Sequence, residues 1–174
     1  MTSPDTAVLE RKNVESLSKY LTFGLGDEEY GLEILKVREI IGLMQITGVP
    51  RTPDFVRGVI NLRGKVIPVI DLRLKFNMDE IGDTVQTCII VVVIGDMLMG
   101  VLVDQVSEVL DIQGKDIEEA PQFGVNIDTE FILGIGKAKG KVIILLDIQK
   151  VLTDSEILKM QSSTMPAADA AARS

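Results

Sequence analysis

The chain repeats itself, and that repeat limits what it can fold into. Residues 55–71 read FVRGVINLRGKVIPVID, and 131–147 read FILGIGKAKGKVIILLD, 76 residues later without a gap. Phe55/Phe131, Gly58/Gly134, Gly64/Gly140, Lys65/Lys141, Val66/Val142, Ile67/Ile143 and Asp71/Asp147 coincide. Upstream, Gly26-Asp27 and Tyr30-Gly31-Leu32 map onto Gly95-Asp96 and Met99-Gly100-Val101 at an offset of 69. That register places Val37 on Val106 and Glu39 on Glu108. The second half therefore carries about seven extra residues, expected near 122–129. Chance likeness between hydrophobic strands would match apolar residues but not the glycine spacing. The sequence thus predicts two related halves, 20–79 and 87–152.

Each half reads as strands. Leu21, Phe23 and Leu25 alternate with Tyr20, Thr22 and Gly24; beyond Gly26-Asp27, Tyr30, Leu32 and Ile34 alternate with Glu29, Gly31 and Glu33. A period of two around a glycine turn predicts a half-buried hairpin. Its counterpart, 89–94 and 97–103, is apolar on both faces and dense in β-branched residues, which favour strand. Residues 35–41, 104–110, 66–72 and 142–148 are read as further strands, the last two preceded by Gly64-Lys65 and Gly140-Lys141 turns. A single helical turn is expected at 53–56. The architecture expected is all-β: about ten strands in two small closed barrels, since closure leaves no edge exposed. Thr153 and Glu156 are spaced as a capping box that opens a short C-terminal helix over 154–160. Residues 1–18 are expected to be a flexible segment, 19–152 the folded unit, and 153–174 the helix with a disordered tail.

Composition excludes several chemistries. Histidine is absent, which removes Ser-His-Asp and Cys-His nucleophile pairs and His-ligated metals. The single cysteine, Cys88, lies in an apolar run and reads as a packing residue. A net charge of −8 argues against nucleic-acid binding. The longest apolar run has seven residues, from Cys88 to Ile94, far short of a membrane span. A soluble cytoplasmic protein is expected. The charge is unevenly spread: 36–75 holds eight basic and three acidic residues, and 76–136 holds twelve acidic residues and one basic. Such asymmetry suggests faces for different partners, or ordinary solvated surface.

Three aspartates, Asp71, Asp104 and Asp147, each follow an apolar strand. They can be read as acid–base or metal-binding carboxylates, or as residues that end strands by accepting turn hydrogen bonds. A ligand cavity inside a barrel is a third reading. Gly58 to Lys65 superficially resembles a phosphate loop, but the spacing is wrong and Val66 stands where Ser or Thr is required. Asn61-Leu62-Arg63-Gly64 is more informative. Asn and Gly tolerate left-handed backbone there, and Leu62 and Arg63 are not expected to need it. Arg63 reads as an interface anchor or a solvated surface arginine.

The motif GVINLRGKVIPVIDLR at 58–73, preceded by DEEYGLEILKVREI at 27–40 and followed by GVLVDQVSEVL at 100–110, resembles the bacterial chemotaxis coupling family, CheW. The likeness runs from about residue 20 to 152. It implies an all-β fold of two intertwined, small, five-stranded β-barrels, with exchange of strands between them left open, and a non-enzymatic adaptor with no catalytic residue, cofactor or metal. The implied partners are the cytoplasmic tip of methyl-accepting chemoreceptors, the regulatory domain of the histidine kinase CheA, and other CheW-like domains in rings. The implied location is the cytoplasm, at membrane-associated receptor arrays, without membrane insertion or nucleic acid. Carried over residue by residue, the receptor-facing groove would hold Val37, Glu39, Gly58, Arg63, Cys88, Gly100, Val106, Val109 and Gly134. Cys88 departs from the aliphatic residue commoner there. The valines would supply dry contact, and Glu39 and Arg63 would set register by charge or pair with each other. The kinase-facing residues stay unassigned, with exposed apolar residues at the barrel ends expected to supply them.

Overall fold

A computed structural model describes residues 18–79, 81–119 and 131–152. Eleven strands are found among them: β1 (Ser18–Leu25), β2 (Glu28–Glu33), β3 (Val37–Gly42), β4 (Val56–Leu62), β5 (Lys65–Asp71), β6 (Cys88–Ile94), β7 (Met97–Val103), β8 (Gln105–Ile112), β9 (Ile117–Glu118), β10 (Ile132–Ala138) and β11 (Lys141–Leu146). Two four-residue helices, α1 (Leu72–Lys75) and α2 (Ile148–Val151), follow β5 and β11. The insertion expected near 122–129 and the helix expected over 154–160 lie outside the described residues.

The strands form two sheets that exchange their hairpins. One sheet runs β8-β1-β2-β11-β10-β9, and the other runs β3-β6-β7-β5-β4. The first half's hairpin β1–β2 thus sits among second-half strands, and β6–β7 sits among first-half strands. Each hairpin joins its host through a parallel pair, β2 with β11 and β7 with β5. The repeat offsets carry one register onto the other. Gly31 faces Leu145 where Gly100 faces Val69, and Leu21 faces Leu32 where Ile90 faces Val101. The register shift between Val56 and Gly58 recurs between Ile132 and Gly134.

The inner strands β1, β6 and β7 are buried on both faces over most of their length, and the alternation along them shows why. Leu21, Phe23, Leu25, Ile90, Val92 and Ile94 point into one core between the sheets. The alternate residues Ile89 and Val91 pack with Ile60, Ile67, Val69 and Leu102 inside the curl of the five-stranded sheet. Tyr20 packs with Leu110, Ile112, Ile143 and Leu145 inside the other. This corrects the half-buried hairpin expected at 20–34: β1 is buried on both faces from Tyr20 to Leu25, because its second face lines a curl of its own. Phe23, Tyr30, Phe76 and Phe131 form a column of rings with centroids 5.9, 5.8 and 4.9 Å apart, tying the two halves together.

Neither hydrogen-bonded ladder closes on itself. The edges are handled differently from the full closure expected. Thr47 exchanges two 2.8 Å backbone hydrogen bonds with Val59 and so covers the outer edge of β4. β9 covers β10 at the equivalent place, with Glu118 opposite Ile135. Three local expectations are also corrected. Residues 34–36 form a 3₁₀ turn ahead of β3. Residues 53–56 form a tight turn held by Val56 N–H donating to Pro53 O. Residues 72 and 148 begin helices, because Asp71 and Asp147 cap them, so β5 ends one residue and β11 two residues before the expected bounds.

Candidate functional site

The open edge of the five-stranded sheet brings β3 against the β4–β5 turn. The turn is a two-residue hairpin with Arg63 at φ 51° and Gly64 at φ 86°. Arg63 is thus left-handed, contrary to the sequence expectation. The right-handed twist of the flanking strands selects a primed turn, here type I′, which demands positive φ at both central residues. Asn61 Oδ1 stabilises it by accepting from Gly64 N–H at 2.9 Å. The turn projects Arg63 across the seam, where its guanidinium donates to the Glu39 carboxylate. Arg63 remains 69% exposed and Glu39 28%. With Arg38, Leu62, Lys65 and Leu98 they line a cleft of about 390 Å³.

The six-stranded sheet has the same seam. The repeat places Lys139 on Arg63 and Glu108 on Glu39, and Lys139 Nζ donates to Glu108 Oε1 at 2.9 Å. Lys139 is likewise left-handed, at φ 53°. The Lys139 ammonium holds the Glu108 carboxyl below the usual range. A cleft of about 690 Å³ runs between β8 and the β10–β11 turn, lined in part by Val109, Lys115, Lys137 and Lys139. The Glu118 carboxylate beside Lys137 raises its ammonium's pKa.

The nine residues carried over by resemblance occupy three kinds of position. Glu39 and Arg63 meet directly at one seam, and Val109 is exposed at the other. Val37 and Val106 are half-buried and share the core between the sheets. Cys88 is half-buried at the start of β6, its thiol donating to Gln86 O at 3.2 Å. Gly58, Gly100 and Gly134 are buried, and each has a steric reason to be glycine. A Cβ on Gly58 would lie 2.0 Å from Thr47 O, and one on Gly134 would lie 2.8 Å from Glu118 O. These two glycines therefore admit the segments that cover the sheet edges. At Gly100 a Cβ would lie 2.8 Å from Ile89 Cγ2. The repeat also points to three surface residues outside this set: Ile40, the equivalent of the exposed Val109, and the equivalent pair Val66 and Val142, all three exposed.

The three strand-end aspartates are taken up by the fold. Asp71 accepts from Arg73 N–H at 3.0 Å and Leu74 N–H at 3.4 Å and pairs with Arg57 at 3.2 Å. Asp147 accepts from Gln149 N–H. Asp104 is gripped by Arg73, whose hydrogen bonds hold the carboxyl below its ordinary range. Among the described residues, no group of carboxylates or thiols is arranged to hold a metal ion. Nor is any helix there long and apolar enough to cross a membrane.

Comparison with known proteins agrees with this architecture. The CheW-like domain family matches residues 19–156. A chemotaxis protein CheW of Klebsiella aerogenes is 44% identical, over 80% of this chain and 84% of its own length. One from Treponema pallidum is 31% identical over 80% of this chain and 85% of its own. The crystal structure of the scaffolding protein TtCheW from Thermoanaerobacter tengcongensis superposes with a TM-score of 0.74 at 39% identity, covering 80% of this chain and 95% of that one. Extent and identity together leave one assignment: the chain belongs to the CheW family of non-catalytic chemotaxis scaffold proteins.

Proposed function

We propose that this protein couples the cytoplasmic tips of chemoreceptors to the histidine kinase CheA, acting in the cytoplasm at membrane-associated receptor arrays. The observation that carries the reading is the match to CheW-like domains over residues 19–156, on a body built with two separate exposed seams. A receptor tip is a helical hairpin, and an adaptor meets it with a groove that takes its apolar stripe. Arg63, held out by a primed turn and oriented through Nη2 by Glu39, is poised to offer the other donors of its fork to an acidic group on a helix. The regulatory domain of CheA docks elsewhere, at the sheet ends where Val66 and Val142 are exposed. Because that domain is itself CheW-like, other CheW-like modules compete for the same ends and extend the assembly into rings. Holding receptor and kinase on one body raises the effective concentration of each for the other.

The test is titration calorimetry of the full chain against a receptor tip and against the CheA regulatory domain, separately and together. Both binary complexes and a ternary complex are expected. Arg63→Ala should weaken tip binding by about 1–3 kcal/mol while kinase binding and circular dichroism stay unchanged. Failure of the wild-type chain to bind either partner would overturn the reading.

A further inference from the structure

Among the described residues the chain crosses between the two sheets at two equivalent places, and only one of them is pinned there by a side-chain ion pair. The first crossing runs from β2 to β3 through the 3₁₀ turn Ile34–Lys36. The second runs from β7 to β8 through a single residue, Asp104. Asp104 occupies the repeat position of Leu35, and its carboxylate gathers groups from both sheets. Arg73, in α1 beside the five-stranded sheet, donates from Nε to Oδ1 at 2.7 Å and from Nη2 to Oδ2 at 2.6 Å. Gly26 N–H, in the β1–β2 turn of the six-stranded sheet, donates to Oδ2 at 2.8 Å. Asp104 N–H donates to Gly24 O at 3.2 Å, and Arg73 Nη1 donates to Asp79 O at 3.0 Å. The pair is largely withdrawn from water, with side-chain exposures of 12% and 21%. A forked guanidinium–carboxylate pair of this kind is directional as well as strong.

The first crossing has the backbone for such a clasp and lacks the side chains. Gly95 stands where Gly26 stands, at φ 58° against 61°. Asp147 caps α2 as Asp71 caps α1. Gln149 takes the place of Arg73, and Leu35, 90% exposed, takes that of Asp104. We propose that Arg73 and Asp104 form a one-sided clasp, so that the two sheets pivot about Asp104 and any relative motion opens at Ile34–Lys36. A load applied to one sheet is then passed to the other as a rotation about one fixed point, which a body pinned on both sides would resist. The inference rests on the fold alone and stands whether or not the proposed partners bind.

Hydrogen exchange of the full chain tests it, read at residues 33–38 and 102–107 with the β6 centre, 90–92, as reference. The wild-type second crossing should exchange at least about tenfold more slowly than the first. The double variant Arg73→Gln with Asp104→Leu copies the first crossing into the second and should bring 102–107 to the rate of 33–38, leaving 90–92 unchanged. The reverse transplant, Leu35→Asp with Gln149→Arg, should slow 33–38. Equal exchange at the two crossings in the wild type would overturn the proposal, as would a uniform acceleration that includes 90–92. Should the first double variant not fold, the reverse transplant decides alone: unchanged exchange at 33–38 rejects the clasp.

Discussion

Inside the five-stranded curl, Ile60, Val91 and Leu102 make a dry interior. At the equivalent places the six-stranded curl carries Gly136, Thr22 and Glu33. The register is nevertheless the same in both. What replaces the missing apolar volume is specific. Ile112 reaches in from β8, its Cδ1 lying 3.2 Å from where a Cβ on Gly136 would stand. Thr22 is fully buried, and its hydroxyl donates to Glu108 O at 2.8 Å and accepts from Glu108 N–H at 3.1 Å. One backbone thus accommodates a dry filling and a hydrogen-bonded one. The shared features are the bulges, the turns and the glycines, so the register is held by those and the interior adapts around them.

The largest effect expected is at those shared features. Gly58→Ala drives a Cβ into the Thr47 carbonyl at a residue with φ 143°. It should cost about 3 kcal/mol or more in urea unfolding and release the Thr47–Val59 pair in hydrogen exchange. Gly134→Ala meets Ile117 Cγ2 at 2.7 Å and Glu118 O at 2.8 Å. A two-residue covering strand yields more easily, so the cost there should be about 1–3 kcal/mol. Equal losses would mean that the two edge covers are equally rigid and would break the comparison.

Next in size is the clasp that only one crossing possesses. Asp104→Asn should cost about 2 kcal/mol at pH 7, less than for a fully buried pair because both groups keep some exposure. The native carboxyl lies below its ordinary range, chiefly through the Arg73 hydrogen bonds. Its stabilisation is therefore present above the unfolded value of about 4 and is lost as pH falls through the native value. The gap between wild type and variant should narrow in acid; a gap that widens below pH 4 would contradict the assignment.

A smaller pair of changes exchanges the two interiors. Val91→Thr places a hydroxyl in a wholly apolar curl and should cost about 1–3 kcal/mol. Thr22→Val adds apolar surface yet should also cost about 1–2 kcal/mol, because the Glu108 N–H and carbonyl both lose a partner. A stabilising Thr22→Val would show that those backbone groups find other partners and that the wet interior is not required.

The repeat and the strand periods made most of this architecture readable, because hairpins and bulges leave local marks. Strand exchange leaves none: the parallel contacts of β2 with β11 and β5 with β7 join residues far apart in sequence. The burial of Thr22 is hidden for the same reason, since its partner is 86 residues away. α1 and α2 are hidden because Leu72 and Ile148 carry the apolar strand runs one residue past Asp71 and Asp147. The seam was half legible. Pairing of Glu39 with Arg63 follows from charge as one alternative, and the repeat offsets then place Glu108 opposite Lys139. That Gly58, Gly100 and Gly134 are buried shows only in three dimensions, because a glycine carries no mark of what lies against it.

The seams should give the smallest effect on folding and the sharpest on function. Lys139 and Arg63 are mostly in water and Glu108 is partly so, hence neither pair holds much of the fold. Glu108→Gln should leave the urea midpoint at pH 7 within error of the wild type, and Glu39→Gln should lower stability by no more than about 0.5 kcal/mol. Tip binding separates them. Glu39→Gln removes the group that orients Arg63 and should weaken the receptor tip severalfold, more so at low salt, where charge steering is strongest. Glu108→Gln should leave that affinity alone, because its partner is a lysine, a point charge without the planar fork. Equal weakening by both would mean that the tip contacts both seams at once, and the functional difference between the two halves would then lie elsewhere than in arginine against lysine.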